Sequence, residues 1–308
     1  MKRLRFIAIF LTGIVLFTGC FRDDSEKLQE QEQRDLKNYL AEHNITQSPT
    51  ASGLYIIPET DDTTGLKPTI NNVVEFEYTG KLVDGTVFGT TDSAVAKDND
   101  IYYSNVVYGT VRLLLSNSII GLQEGFQLMH EGEKATLILP SDLAYGGNSI
   151  GAIGPYKTLI FDIHLWHVIT DPASYEQNLI QNFLDSNNYN VEPTESGLYY
   201  IEKVSGNDTL IKEGNYVDMY YKGYFLDGRV FDSNFGEDNP IRILIPNENL
   251  IDGWNEGLKL MSKGSEGTLI VPYSMAFGSN GTPDYYVFPW YIGPYMTLIF
   301  DIKIVGVH

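Results

Sequence analysis

The chain is short of cysteine, histidine and positive charge. Cys20 is the only cysteine in 308 residues, so no internal disulfide is available and stability must come from a packed core. The five histidines are scattered. His164 and His167 lie three apart on an expected strand and should face opposite sides, which argues against a zinc pair; neither metal nor cofactor is expected. Lys and Arg number 21 against 40 Asp and Glu, a formal net charge of -19. A field of that sign repels phosphate backbones, so nucleic acid is not an expected partner. The glycines around Tyr145 lack the strand-to-helix setting and the lysine of a phosphate loop. No Ser-His-Asp or Cys-His arrangement can be assembled.

Long apolar runs are scarce too, except at the start. Lys2, Arg3 and Arg5 precede an apolar stretch from Phe6 to Phe17 that closes on Thr18, Gly19 and Cys20. Residues 1–20 therefore read as a lipoprotein signal peptide, with Cys20 the residue to be lipidated and the apolar stretch too short to span a bilayer unaided. The alternative is an uncleaved membrane helix. Residues 21–27, with Asp23, Asp24 and Glu26, read as an acidic tether similar to the export tags of Bacteroidetes surface lipoproteins, or as an ordinary polar linker. The expected location is the cell envelope, lipid-anchored to the outer membrane and facing the periplasm or the surface.

The rest of the chain repeats itself. SGLYII from Ser52 is matched by SGLYYI from Ser196, and EYTGKLVDGTVF from Glu77 by YYKGYFLDGRVF from Tyr220. GLQEGFQLM from Gly121 is matched by GWNEGLKLM from Gly253, and GPYKTLIFDI from Gly154 by GPYMTLIFDI from Gly293. Chance does not place such blocks collinearly. The spacing between blocks shows a longer insertion between Gly89 and Ser118 in the first copy and a longer loop between Gly278 and Tyr291 in the second.

Each copy begins with an apolar stripe at helical spacing: Leu36, Tyr39 and Leu40, then Leu179, Ile180, Phe183 and Leu184. Ser174 and Gln177 have capping-box spacing, and Asp171-Pro172 breaks the strand before them. Segments 73–82, 134–139, 158–166, 216–226, 267–271 and 297–307 read as strands, and Asp84-Gly85 and Asp227-Gly228 as hairpin turns. One short helix per copy carries Ile119, Leu122, Phe126 and Met129, or Ile251, Trp254, Leu258 and Met261, along one face. The expected fold class is α+β. Each module is a twisted antiparallel sheet wrapped on one short helix and preceded by another helix, with the first module at 28–169 and the second at 170–308.

These blocks resemble the FKBP family of peptidyl-prolyl isomerases, closely in the second copy and with divergence in the first. The resemblance implies an aromatic proline pocket in the second module. Trp254 would be its floor and Tyr221, Phe231 and Phe300 its walls. Ile251 would sit at the mouth with its N–H offered to the peptide, and Asp232 would be the charged group facing the imide. Ile241, Tyr291 and Ile292 would form an apolar rim. Phe277 departs from the family's usual tyrosine, which implies weakened catalysis. The first pocket keeps Tyr78, Phe88, Ile119, Tyr145 and Phe161 but has Leu122 for the tryptophan and Gly89 for the aspartate.

Taken singly, these aromatics are better read as core residues; their joint order and spacing carry the pocket. The segment from Pro283 to Tyr291 is aromatic, and is either a flap over a peptide or a self-packed loop. The resemblance implies a prolyl isomerase that assists the folding of exported proteins, with proline-containing polypeptides as partners. The alternative is a non-catalytic binding or assembly lipoprotein of the envelope.

Overall fold

The computed structural model describes residues 24–60, 63–207, 210–282 and 292–308. The signal segment, Cys20 and the aromatic stretch through Tyr291 lie outside the described residues. Helix α1 (Asp24–Glu42) opens the fold, so Asp24 to Lys27, expected in the tether, are helical. Asp24 and Glu26 occupy the first turn, where the positive end of the helix dipole favours acids.

The first module continues with β1 (Tyr55–Pro58), β2 (Val73–Leu82), β3 (Val87–Thr90), α2 (Ser93–Asp98), β4 (Val111–Leu114), α3 (Ile120–Leu128), β5 (Lys134–Leu139) and β6 (Leu159–Ile169). The second repeats the plan with α4 (Pro172–Ser186), β7 (Tyr199–Val204), β8 (Tyr216–Phe225), β9 (Val230–Ser233), β10 (Ile241–Leu244), α5 (Asp252–Gly257), β11 (Glu266–Val271) and β12 (Leu298–Val307). Helix α2, in the first module's insertion, is an addition that the sequence pattern did not announce.

Each module is one antiparallel six-stranded sheet. The first runs β1-β5-β6-β2-β3 with β4 also on β2; the second runs β7-β11-β12-β8-β10 with β9 also on β8. The hairpins form where Asp-Gly predicts them. Gly85 and Gly228 take φ of +88° and +87°, and the preceding aspartates accept from the N–H of Thr86 and Arg229.

Both faces of each sheet are covered, which is why the strand runs TLIL, TLIV and LIFDI are nearly continuously apolar. On one face α3 or α5 packs against the main core, with Phe126, Leu137 and Phe161 in the first module and Trp254, Leu269 and Phe300 in the second. On the other, α1 brings Tyr39 to Ile138 and Ile160, while α4 brings Ile180 and Leu184 to Ile270 and Ile299. The glycines of GLQEG and GWNEG let the short helices rest on the sheet. A Cβ at Gly125 would stand 2.3 Å from Leu137, and one at Gly257 2.4 Å from Leu269.

Two local expectations are corrected. The cap of α4 is Asp171, whose carboxylate accepts from the N–H and hydroxyl of Ser174, with Pro172 in the first turn. His164 and His167 do not face opposite sides. A register shift between Glu75 and Phe76 leaves both Trp166 and His167 exposed between buried Leu165 and Val168, so His164 and His167 both point away from the core. Even so, no group of three or more His, Cys, Asp or Glu able to hold a metal occurs among the described residues.

Candidate functional site

In the second module, the hairpin β8–β9, helix α5 and strand β12 bring four aromatic rings together. Tyr221 and Phe300 each stand edge-on to Trp254, with centroids 5.1 Å away in both cases. Phe231 stands edge-on to Phe300 at 5.6 Å. Such perpendicular pairs set positive ring edges against negative faces. Gly223 makes room for them, because a Cβ there would lie 2.6 Å from Phe231 and 2.9 Å from Phe300. Ile241, Ile251 and Phe277 pack part-buried against this cluster, and Ile292 is buried within it. Tyr291 is not among the described residues.

Two polar features distinguish this basin from ordinary core. The Tyr221 hydroxyl donates to Asp232 Oδ2 at 2.5 Å, and burial, reinforced by that carboxylate, pushes the phenol pKa up, keeping it a neutral donor. Trp254 is 6% exposed, and its indole N–H is buried with no hydrogen-bond partner among the described residues. Leaving a buried donor unpaired costs about 1–3 kcal/mol, so finished cores avoid it.

The first module assembles the corresponding rings less completely. Phe161 lies 5.6 Å from Phe88 and 6.0 Å from Tyr78, and Ile119, Leu122 and Tyr145 pack part-buried against the same cluster. With Leu122 as floor and Gly89 in place of an acid, it has neither the indole donor nor the carboxylate.

Sequence reasoning missed the groups that hold these basins from behind. Glu32 on α1 accepts from the Ser141 N–H and the hydroxyls of Ser141 and Thr158, at 2.6–2.9 Å. Glu176 on α4 repeats the device, accepting from the Tyr273 N–H at 2.7 Å and the Thr297 hydroxyl at 2.6 Å. Those segments carry Tyr145 and Phe161, or Phe277 and Phe300. Desolvation raises the pKa of Glu176, against the pull of its two donors. The signal was available: each glutamate precedes its apolar helical stripe at the same place in the repeat.

Comparison with known proteins identifies the family. The family profile for FKBP-type peptidyl-prolyl cis-trans isomerase matches residues 65–166 and again 207–305. The chain belongs to that family, in two copies. It is 26% identical over 236 residues to peptidyl-prolyl cis-trans isomerase FKBP10 of Homo sapiens, covering 76% of this chain and 34% of that protein. It is 37% identical over 128 residues to the outer membrane protein MIP of Legionella longbeachae, covering 39% of this chain and 49% of that one. The chain thus spans between a third and a half of the length of these relatives. Among solved structures, FkpA from Escherichia coli matches at 29% identity with a TM-score of 0.34, covering 44% of this chain and 63% of that one. No helix among the described residues is long and apolar enough to cross a membrane.

Proposed function

We propose that this protein is a peptidyl-prolyl cis-trans isomerase of the cell envelope, anchored through lipid on Cys20, whose second module catalyses and whose substrates are proline-containing stretches of exported polypeptides. The observation that carries it is the basin of Tyr221, Phe231, Trp254 and Phe300, four aromatic rings in contact, in which the indole N–H has no hydrogen-bond partner among the described residues. Apolar walls around an indole floor suit a pyrrolidine ring.

The chemistry needs no nucleophile. The barrier of about 18–20 kcal/mol to rotating a peptide bond comes from amide resonance, which a twisted transition state loses. Loss of resonance makes the amide less charge-separated. A dry aromatic basin therefore disfavours the planar ground state relative to the twisted state. Lowering the barrier by roughly 5 kcal/mol gives nearly four powers of ten in rate. Asp232, held by the Tyr221 hydroxyl, supplies a fixed negative charge at the mouth. Ile251 precedes α5 with extended backbone (ψ 151°), where its N–H can meet a peptide carbonyl. The acidic chain favours basic or weakly charged polypeptides over other anions.

The second reading, a binding or assembly module without catalysis, is favoured by Phe277 and by the loss of the tryptophan and aspartate in the first basin. NMR exchange on a short Leu-Pro peptide, with the full chain and its Trp254→Ala variant, separates the two. Acceleration that the variant loses supports the isomerase. A folded chain that accelerates nothing leaves the binding module.

A further inference from the structure

One ion pair occurs in both copies, and the two differ in what they do. Arg242 on β10 grips Asp218 across the ladder, Nε to Oδ1 at 2.6 Å, with the Arg242 side chain 58% exposed. The register-equivalent pair in the first copy is Arg112 on β4 and Glu75 on β2. Here the arginine side chain is only 8% exposed. Its Nε donates to Glu75 Oε2 at 2.8 Å, and its Nη1 crosses to the second module to donate to the carbonyl oxygen of Tyr295 at 2.7 Å. The guanidinium also stands over the ring of Tyr175 on α4, 5.2 Å from its centroid.

Tyr295 is a junction of the second basin. It holds φ at +56°, and its N–H donates to the carbonyl of Gly278, the residue after Phe277, at 3.0 Å. Ile292 lies just before it in the chain and Phe300 just after. The Gly293 backbone lies against that of Arg112, since a Cβ there would meet the Arg112 carbonyl at 3.0 Å. A return contact exists from the other wall of the basin. Arg229, between the hairpin turn and Phe231, donates to the carbonyls of Tyr108 and Thr110 in the first module's insertion, both at 3.1 Å. Val107 of that insertion packs against the second module's core.

We infer that Arg112 is a positioning residue for the second basin, so that the diverged first module aims Ile292, Phe277 and Phe300 through the Tyr295 turn. This rests on the isomerase reading of the basin. A guanidinium keeps its proton and presents a planar fork, so one side chain holds Glu75 and Tyr295 in fixed relation.

The test uses the full chain with Arg112→Ala, Arg112→Lys and, as the equivalent pair that stays within its own module, Arg242→Ala. Two quantities are measured: kcat/KM on the Leu-Pro peptide, and the indole N–H signal of Trp254 in 15N-labelled protein, assigned with Trp254→Phe. Arg112→Ala should lower kcat/KM by about threefold to tenfold, mainly through KM, and move the indole signal. Arg112→Lys should recover part of this, because an ammonium cannot hold both partners, and Arg242→Ala should match wild type. Should the alanine variant not fold, the lysine variant carries the comparison. Unchanged kcat/KM and indole signal in Arg112→Ala, or an equal loss in Arg242→Ala, would overturn the inference. An inactive wild type removes the isomerase reading separately. The indole signal then decides alone: movement with Arg112→Ala but not Arg242→Ala upholds the positioning role, and no movement removes it.

Discussion

The two basins share a fold and differ in where their aromatic volume sits. Where the second module has Trp254, Leu258 and Met219 in its core cluster, the first has Leu122, Phe126 and Phe76 at the matching positions. Phe126 and Phe76 are 0% and 4% exposed and meet edge-on at 4.9 Å. Bulk lost from the floor has therefore reappeared in the layer beneath it. The missing acid is a different case: Tyr78 stands beside Gly89 as Tyr221 stands beside Asp232, so the carboxylate is lost while its tyrosine neighbour is kept. The comparison teaches that interior density is conserved even where the groups a ligand would touch have been exchanged.

Three perturbations break or sharpen that comparison. The largest is Leu122→Trp, which should destabilise the chain by about 1–3 kcal/mol, because the indole must enter a layer already filled by Phe126 and Phe76. Adding Phe126→Leu and Phe76→Met should recover most of the loss in urea unfolding. If the single variant is as stable as wild type, the floor is empty and the account of shifted volume is wrong. Next, Phe277→Tyr should raise kcat/KM about fivefold, equivalent to the roughly 1 kcal/mol of one neutral hydrogen bond to a substrate carbonyl. An unchanged rate would remove the explanation offered for weakened catalysis.

The smallest effect is a pH dependence at Glu176. Its pKa is raised above the ordinary 4.5 by burial, so the folded state binds more protons than the unfolded one. The stability it contributes is full below 4.5 and is lost as pH rises through the folded-state value. Glu176→Gln keeps an acceptor oxygen for Tyr273 and Thr297 without the buried charge. Its melting midpoint should therefore exceed wild type at pH 7, and the gap should close on acidification below 4.5. A gap that widens on acidification would mean that the carboxylate is stabilised as the anion.

The central strands were legible for two reasons: β5 falls on 134–139 as a nearly continuous apolar run, and β2 falls on 73–82 as a stretch rich in β-branched and aromatic residues that ends on the Asp84-Gly85 turn. The ring set from Tyr221 to Phe300 was legible through duplication and family resemblance, and the structure brings those rings into contact. What stayed hidden depends on tertiary partners. The extra residue at Trp166 changes the facing of His167, but nothing in HLWHVI marks a bulge. Ser174 has the chemistry of a cap, yet Asp171 and Pro172 before it hold that position, and proline's preference for the first turn was the overlooked sign. Arg112 differs from Arg242 only in what lies across the module boundary, which one strand's sequence cannot express.

The junction between the copies is very short. Strand β6 ends at Ile169 and α4 begins at Pro172, with Asp171 already its cap. The connection therefore has no slack, and two arginines brace it from opposite sides. Tandem domains on a loose tether gain from local concentration and accept clients of any spacing. A braced pair works instead as a ruler. Two segments of one polypeptide, one in each basin, would then be held at a single separation set by this joint.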